Sequence, residues 1–335
     1  MNIDQNISSI KSKVSQLIGN TPLLELQTLN KNVRILLKME QFNPTGTAKV
    51  RMARKMIEAA ELQGKLQPGG WIVESTSGNT GLGLALIAAE RGYRFTAIVD
   101  KHASADKLYA MQALGAELHY VGNDDGSIAT ADRDLTAQKI SLENGAFWTE
   151  QHNNPSNAEA YDELAEELTN VLKDEIHYLI GAVGTGGSLC GTARSLKQNN
   201  PNLHVVGVEP EGSIIFGGES AHYFQSGTGT PADAEIGNLI DYQIIDLGLK
   251  VTDQQAFETA RYLAKKYGIF VGGSAGGVIY HALQLSKTLT AHKTIVVLVC
   301  DGGEKYVHTV FNDHWMEANN LIDHNVINDL KKILI

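Results

Sequence analysis

Residues 71–100 read WIVESTSGNTGLGLALIAAERGYRFTAIVD, and this stretch decides the fold class. A short apolar strand ends at Ser75, a glycine-containing loop follows, and an apolar helix extends from Leu82 to Arg91. The next strand is predicted from Phe95 to Asp100. Short, nearly continuous apolar strands that alternate with helices are typical of a parallel sheet covered by helices on both faces.

The same strand–loop–helix pattern recurs along the rest of the chain. Further strands are predicted at Leu118 to Val121, Ile176 to Val183, His204 to Val208 and Thr294 to Val299. Further helices are predicted at Asp106 to Leu114, Ala129 to Leu142, Gln254 to Tyr267 and Gly276 to Leu289, and another follows the loop 184–188 and extends to Lys197. This alternation predicts an α/β fold, in two doubly wound domains with mostly parallel sheets. Ligands of such sheets bind in the loops at the carboxyl ends of the strands.

Composition narrows the class of protein. The chain has 335 residues, 43% of them hydrophobic, which is enough for two domains around a sizeable core. A formal net charge of −10 argues against a nucleic acid or an anionic membrane as partner. Residues 1–13 are polar, and no apolar run reaches the roughly 20 residues that span a bilayer, so we expect a cytoplasmic protein. Cys190 and Cys300 are expected to be two buried thiols rather than a disulfide or metal site.

The first loop with chemical character is NPTGTAKVR, residues 43–51, which opens a helix that extends to about Leu62. Lys49 lies in the first turn of this helix. The positive end of the helix dipole disfavours an ammonium and lowers the pKa of the lysine, which suits a nucleophile or a Schiff base. A single lysine in such a position is more often a solvated surface residue, so the assignment depends on the other loops.

A second loop, STSGNTG at residues 75–81, combines small hydroxyl side chains with backbone donors that can surround a carboxylate. The amide of Asn79 adds a partner for an aromatic hydroxyl. A plain glycine turn with a helix cap explains the same residues equally well.

Two further glycine loops follow apolar strands. GTGGS at residues 184–188 favours a phosphate, because glycines permit a nest of backbone donors at a helix N-terminus. It also looks like a dinucleotide fingerprint, and Glu209 lies at about the spacing of the ribose-binding acid, so a nicotinamide-dependent dehydrogenase is an alternative. GGSAGG at residues 272–277 presents one hydroxyl, that of Ser274, although close helix packing would explain its glycines too.

In this order, TAKVR (47–51), TSGNTG (76–81), GTGGS (184–188) and GGSAG (272–276) resemble the cysteine synthase/cystathionine β-synthase family of pyridoxal 5′-phosphate (PLP) enzymes. The segments IGNTPL (18–23), QHNNPSN (151–157) and DGGEKY (301–306) match the same family. The resemblance covers about residues 14–315. It implies a fold like that of the tryptophan synthase β-subunit, PLP as cofactor, and a homodimer that acts on small amino-acid substrates. It also implies a smaller mobile domain, residues 45–154, with the carboxylate loop, and a larger domain, residues 1–44 with 155–335, with the phosphate loop and Ser274.

The resemblance further implies a role for each matched position. Lys49 would hold the cofactor as a Schiff base and later move the α-proton. Asn79 would hydrogen-bond the ring hydroxyl, and Ser274 would face the pyridine nitrogen, where a neutral hydroxyl moderates the electron sink. The phosphate would be held by Gly184, Thr185, Gly186, Gly187 and Ser188. The substrate carboxylate would be held by Thr76, Ser77, Thr80 and Gln151, and no metal is expected.

The implied reaction replaces the β-substituent of O-acetyl-L-serine or O-phospho-L-serine through an aminoacrylate. Sulfide is the favoured acceptor, which is the cysteine synthase reaction. An amino-acid amine, as in siderophore-type diaminopropionate precursor synthases, and homocysteine, as in cystathionine β-synthase, stay open. The segments 211–217 and 312–315 look like those of the siderophore-type enzymes.

Two departures from the family pattern, one candidate arginine and the C-terminal tail complete the sequence predictions. Val50 stands where the family often has an acid, and residues 227–231 diverge in a segment that tends to lie by the second substrate. Arg133 is a candidate reader of a phosphate leaving group, although a lone helical arginine is usually a solvated surface residue. The tail from Leu321 to Ile335 is expected to pack either across a subunit interface or on the larger domain.

Overall fold

The structure, a computed structural model, describes residues 10–100, 104–122, 130–232 and 234–335. Its strands are β1 (Leu23–Leu26), β2 (Val33–Met39), β3 (Trp71–Ser75), β4 (Arg94–Asp100), β5 (Glu117–Val121), β6 (Phe147–Trp148), β7 (Tyr178–Ala182), β8 (His204–Pro210), β9 (Leu247–Val251) and β10 (Lys293–Val299). They form a six-stranded sheet in the order β1-β2-β10-β7-β8-β9 and a four-stranded sheet in the order β5-β4-β3-β6.

Both sheets are parallel except for the pair β1 and β2. In the larger sheet Ile295 of β10 lies between Ile35 and Tyr178 of its two neighbours. The predicted α/β fold with mostly parallel sheets is confirmed. The four-stranded sheet is built from residues 71–148, within the segment 45–154 predicted as the smaller domain. The division into a mobile and a larger domain stays a prediction.

Eleven α-helices lie in the described residues. They are α1 (Lys49–Leu62), α2 (Asn79–Arg91), α3 (Ala105–Ala113), α4 (Thr130–Asn144), α5 (Pro155–Glu159), α6 (Asp162–Leu172), α7 (Gly187–Asn199), α8 (Asp253–Tyr267), α9 (Gly273–Thr288), α10 (Asp313–Ala318) and α11 (His324–Leu330). The predicted start of α4 at Ala129 lies outside the described residues. Helix α9 begins three residues before the predicted Gly276, and this difference places Ser274 in its first turn.

Strand β2 is the main element that the sequence prediction missed, together with β1, β6 and β9. It lies between β1 and β10 in the larger sheet, but Arg34 and Lys38 interrupt its apolar pattern. Lys38 is nevertheless buried, because its ammonium donates to the carboxylate of Glu167 at 2.5 Å and to the carbonyl of Thr21 at 2.6 Å. A partner 129 residues away along the chain makes this strand position tolerable.

The C-terminal tail packs on the larger sheet of its own chain. Leu330 and Leu334 are buried in the same apolar cluster as the inner residues of β2 and β10. The amide of Leu29 donates to the carbonyl of Ile333 at 2.8 Å, and Thr28 forms an antiparallel bridge with Leu334. Of the two placements expected for the tail, the structure shows the one on the larger sheet.

The two cysteines differ in burial. Cys190 is fully buried on α7, as predicted. Cys300 follows the last residue of β10 and keeps partial exposure, so the prediction of a buried thiol is wrong there. Cys300 is partly exposed because the chain leaves the sheet at this end of the strand and continues as a loop.

Among the described residues no helix is both long and apolar enough to cross a membrane.

Candidate active site

Lys49 lies at the carboxyl end of β10, where the first turn of α1 meets the larger sheet. The amide of Ala48 donates to the carbonyl of Cys300 at 2.8 Å, and Thr47 forms a bridge with Asp301. The lysine keeps partial solvent access but is closely surrounded by protein. This desolvation lowers its pKa, and the nearby Cys300 and Asp301 only partly oppose the shift. The ammonium is therefore easier to deprotonate than usual, as a nucleophilic amine requires.

A buried ion network fixes the first turn of α1. The guanidinium of Arg51 is fully buried and donates to both carboxylate oxygens of Glu40, at 2.7 and 2.9 Å. Glu167 adds an ion pair at 2.9 Å. Burial lowers the pKa of Arg51, but the hydrogen bonds and charges of the two glutamates outweigh it and raise that pKa. The arginine two residues after Lys49 thus anchors the helix that carries it.

Val50 explains one departure from the family pattern. Its side chain is fully buried in the apolar cluster between α1 and α2. The backbone there is tight, since a Cβ on Gly83 of α2 would lie 3.0 Å from the Cα of Val50. An acid at this position would be buried without a partner in that cluster, whereas valine fits.

The predicted carboxylate loop connects β3 to α2. The hydroxyl of Thr80 donates to Oε1 of Gln151 at 2.7 Å, and Nε2 of Gln151 donates to the carbonyl of Ser75 at 3.1 Å. Oγ1 of Thr76 accepts from the amide of Gly81 at 3.1 Å. The structure therefore brings Thr76, Thr80 and Gln151 together at the N-terminus of α2, an end of a helix that favours anions.

Ser77 is held from the other side by Arg133 of α4. The Nη1 atom of Arg133 donates to Oγ of Ser77 at 2.8 Å and pairs with the carboxylate of Asp100 at 3.2 Å. The arginine side chain is only 13% exposed. The interpretation of Arg133 as a solvated surface residue is therefore wrong. The reason is tertiary, because Asp100 ends β4 beside the loop that contains Ser77.

The glycine loop before α7 has the geometry of an anion site. Gly186 has φ of +85°, which only glycine adopts without strain, and a Cβ on Gly187 would collide with Oδ1 of Asn157. A Cβ on Gly184 would lie 3.0 Å from the carbonyl oxygen of Gly227. The first amides of α7, next to Thr185 and Ser188, have no partners within the helix and point out of its positive end.

Asn157 of α5 connects the two loops, and the sequence prediction did not assign it a role. Its Nδ2 donates to the carbonyl of Gln151 at 2.7 Å and to Oγ1 of Thr185 at 3.2 Å. The side chain is fully buried. The motif QHNNPSN ends on this residue, so the signal was present without a stated function. Asn157 sets the spacing between the carboxylate loop and the phosphate loop.

Asp301 is a second residue without an assigned role, although it opens the motif DGGEKY. Its Oδ2 accepts from Nδ2 of Asn79 at 2.7 Å and from the hydroxyl of Tyr306 at 2.6 Å. The amide of Gly272 donates to its carbonyl at 3.0 Å, so the start of α9 with the buried Ser274 lies beside it. Asp301, which follows β10 of the larger sheet, thus binds Asn79, the first residue of the helix that follows β3 of the smaller sheet.

Pyridoxal 5′-phosphate fits this arrangement by a direct test. Oδ1 of Asn79 is buried and accepts no hydrogen bond from the described residues, so it is an acceptor that a ring hydroxyl can satisfy. The α7 N-terminus offers donors for a phosphate, and Lys49 offers an amine of lowered pKa.

The carboxylate of Glu209, which suggested a dehydrogenase, is bound by other residues of the protein. It is fully buried, accepts from the amides of Ile215 at 3.0 Å and Phe216 at 2.7 Å, and pairs with Lys250 at 2.5 Å. It has no exposed oxygen left for a ribose. The segment 312–315, which looked like that of the siderophore-type enzymes, contributes to packing. The ring of Trp315 packs on Phe224 with 5.3 Å between the ring centroids.

Comparison with known proteins agrees with this geometry. A family model described as pyridoxal-phosphate dependent enzyme matches residues 14–301. A protein of Sinorhizobium fredii named putative cysteine synthase is 48% identical over 94% of this chain and 94% of its own length. A solved cysteine synthase from Entamoeba histolytica superposes with a TM-score of 0.84 at 30% identity, covering 93% of this chain and 96% of that one.

A second solved structure, an O-acetylserine dependent cystathionine β-synthase from Helicobacter pylori, gives a TM-score of 0.83 at 30% identity and covers 90% of this chain and 98% of that one. The glycine loops, the lysine of lowered pKa and these similarities agree with one another. The chain belongs to the pyridoxal-phosphate dependent enzymes, in their cysteine synthase/cystathionine β-synthase family.

Proposed function

We propose that this protein replaces the β-acetoxy group of O-acetyl-L-serine with sulfide, which releases acetate and forms cysteine, and so acts as a cysteine synthase. The observation that carries the proposal is Lys49, an amine of lowered pKa at the carboxyl end of β10, next to the Asn79–Asp301 pair. The names of the Sinorhizobium and Entamoeba relatives support the same activity.

Three loops besides the one with Lys49 would hold the cofactor. The amides at the start of α7, with Gly184, Thr185, Gly186, Gly187 and Ser188, would bind its phosphate. Oδ1 of Asn79 would accept the ring hydroxyl, and Ser274 would meet the pyridine nitrogen. When bound, PLP supplies an electron sink that stabilises charge at the substrate α-carbon.

The remaining residues act on the substrate. Thr76, Ser77, Thr80 and Gln151 would orient its carboxylate at the N-terminus of α2. Lys49 would take the α-proton as a general base, which its lowered pKa favours at neutral pH.

The contacts of Arg133 help to decide between the two possible leaving groups, acetate and phosphate. Its guanidinium is already paired with Asp100 and hydrogen-bonded to Ser77. A positive charge that is neutralised in this way offers little to a phosphate dianion. We therefore favour O-acetyl-L-serine over O-phospho-L-serine as donor, and the role proposed for Arg133 is to orient Ser77.

Absorbance spectroscopy tests the cofactor assignment. The purified protein with PLP is expected to absorb near about 410–420 nm, and the band should be lost in Lys49→Ala. Lys139→Ala, which changes an exposed lysine of α4, is the matched control and should keep the band. A protein that stays colourless with added PLP would contradict the proposal.

The acceptor is tested by product analysis. O-acetyl-L-serine should shift the band toward about 470 nm, and the acceptor that restores the resting spectrum is the second substrate. Sulfide is expected to restore it with formation of cysteine. Homocysteine or an amino-acid amine acting faster than sulfide would favour the alternatives.

Oligomeric state and location are proposed from the family resemblance alone. We propose a homodimer in the cytoplasm. Sedimentation equilibrium should give twice the chain mass of 36.3 kDa, and a monomer would contradict the first proposal. Cell fractionation tests the second.

A further inference from the structure

Lys107 of α3 reaches from the smaller sheet to the larger one. Its Nζ lies 3.2 Å from Oγ of Ser226 and 3.5 Å from the hydroxyl of Tyr306. The ammonium also lies 4.5 Å from the centre of the Tyr306 ring. The residue is only 6% exposed, which is unusual for a lysine.

The partners of this ammonium carry no charge. Within the described parts of the chain, no carboxylate forms an ion pair with Lys107. The nearby Asp301 already accepts from Asn79 and Tyr306 through the same oxygen. Burial lowers the pKa of Lys107, while Asp301 opposes this shift and Lys305 adds to it. A buried ammonium that has only hydroxyl partners is an electrostatic deficit that a bound anion would relieve.

The contacts of Lys107 place it at the active site. Ser226 precedes Gly227, whose carbonyl lies against Gly184 of the phosphate loop. The hydroxyl of Tyr306 donates to the carboxylate of Asp301. The carbonyl of the neighbouring Cys300 accepts a hydrogen bond from the amide of Ala48, the residue before Lys49.

Helix α3 itself is packed under the carboxylate loop. A Cβ on Gly81 would collide with Sδ of Met111, so the two helices are in close contact. Lys107 therefore lies on a helix that packs against α2, the helix that follows the donor-binding loop, and its ammonium contacts residues next to the cofactor loops.

We propose that Lys107 binds the negative charge of the second substrate, either the hydrosulfide ion or the carboxylate of an amino-acid acceptor. This inference rests on the proposed β-replacement function and names the chemical class of its acceptor.

The charges of the donor are accounted for elsewhere. Its carboxylate has its own donors at Thr76, Thr80 and Gln151, and the acetyl ester is neutral while it is bound. The acceptor is the next reactant to enter, and an anion is the form in which sulfur attacks best. The unmatched positive charge at Lys107 is thus assigned to the acceptor rather than to the donor.

The test compares the holoenzyme with Lys107→Met and with the charge-retaining Lys107→Arg. The two half-reactions are measured separately, the first as the rise near about 470 nm after addition of O-acetyl-L-serine and the second as its decay with acceptor. The acceptors are sulfide, L-homocysteine and the neutral 1,2,4-triazole. Lys139→Met, at an exposed lysine of α4, is the matched control.

In Lys107→Met we expect the KM for sulfide or homocysteine to rise about tenfold or more, since a charge-assisted contact is lost. The donor half-reaction and the reaction with triazole should change much less, and Lys107→Arg should recover most of the loss. Whichever anion is affected more identifies the source of the charge.

Three results would overturn the inference. One is an unchanged KM for every anionic acceptor, and another is an equal loss with triazole. The third is a defect confined to the donor half-reaction, which would assign the charge to the leaving group. If Lys107→Met does not bind PLP, Lys107→Gln is measured in its place, because it removes the charge and keeps a polar contact with Ser226. Failure of the proposed function is distinguishable, because the unmodified enzyme would then react with no acceptor.

Discussion

Lys49 owes its chemistry to the residues on either side of it in space. The backbone before it is tied to Cys300, and the arginine two residues later is buried with Glu40 and Glu167. A lysine in the first turn of an exposed helix would have the same helix dipole without this burial. Reactivity at the residue scale is therefore a property of the fold around Lys49 and not of the motif alone.

The burial of Glu74 leads us to expect a free energy of unfolding that depends on pH. Burial on β3 raises its pKa from 4.5 to about 8, although the hydroxyl of Thr149 opposes the shift. In the unfolded chain this group ionises near the ordinary value. Its contribution to stability is therefore full below about pH 4.5 and is lost as pH rises to about 8, at up to about 1.4 kcal/mol per pH unit.

The variant Glu74→Gln removes this titration and keeps an acceptor for Thr149. We expect the free energy of unfolding of Glu74→Gln, measured with urea, to gain on the wild type between pH 5 and 8 and to level off above. A constant difference across this range would show that Glu74 is not protonated in the fold.

We expect a substitution of Arg133 to weaken the binding of the donor substrate. Replacing it with Met removes the donor to Ser77 and leaves Asp100 with less compensation. We expect the KM for O-acetyl-L-serine to rise about 5- to 30-fold, with a smaller change in kcat. Arg194→Met, at a half-exposed arginine of α7, is the control and should leave KM unchanged. An unchanged KM in Arg133→Met would contradict the orienting role.

At the scale of elements, two glycines of α7 make close contacts that serve different purposes. Gly187 is tight against the amide of Asn157, which spans the carboxylate and phosphate loops, and Gly191 is tight against the backbone carbonyl of Ala158. Both contacts involve α5. The same helix pair therefore contains a contact at the site and a contact that serves packing only.

The paired variants Gly187→Ala and Gly191→Ala separate these effects. We expect Gly187→Ala to weaken PLP affinity at least about tenfold, because Asn157 must move and disturb the phosphate loop. Gly191→Ala should mainly lower the free energy of unfolding, by about 1–3 kcal/mol. Fluorescence titration with PLP and urea unfolding measure the two effects, and the same profile in both variants would contradict this distinction.

The elements show how far sequence reasoning reaches. Strands with a nearly continuous apolar run, such as β4 and β10, were predictable, as were the loops that follow them. Strand β2 was not, because the lysine at its second-last position, Lys38, is compensated by Glu167, far away along the chain. For the same reason Asn157 and Asp301 received no role, since their function is to connect segments that only the fold brings together.

At the scale of the whole molecule, the cofactor would join two sheets. Its proposed contacts include Asn79 after β3 of the smaller sheet and the start of α7 after β7 of the larger one. A ligand that binds only the folded state stabilises it by mass action, by about 4 kcal/mol at a thousandfold excess over Kd. We therefore expect calorimetry to show a higher Tm for the holoprotein than for the apoprotein. Lys49→Ala should lose most of this difference, and equal Tm values for the two wild-type forms would contradict the fit.

The two cysteines make the molecule a reporter of its own unfolding. Burial raises the pKa of the Cys190 thiol, and it raises that of Cys300 to about 11, so little reactive thiolate exists in the fold near neutral pH. Alkylation by iodoacetamide should consequently be slow in the native protein and fast once the chain opens. Because the chain contains two cysteines, mass spectrometry of the labelled peptides would follow the opening of α7 and of the end of β10 separately.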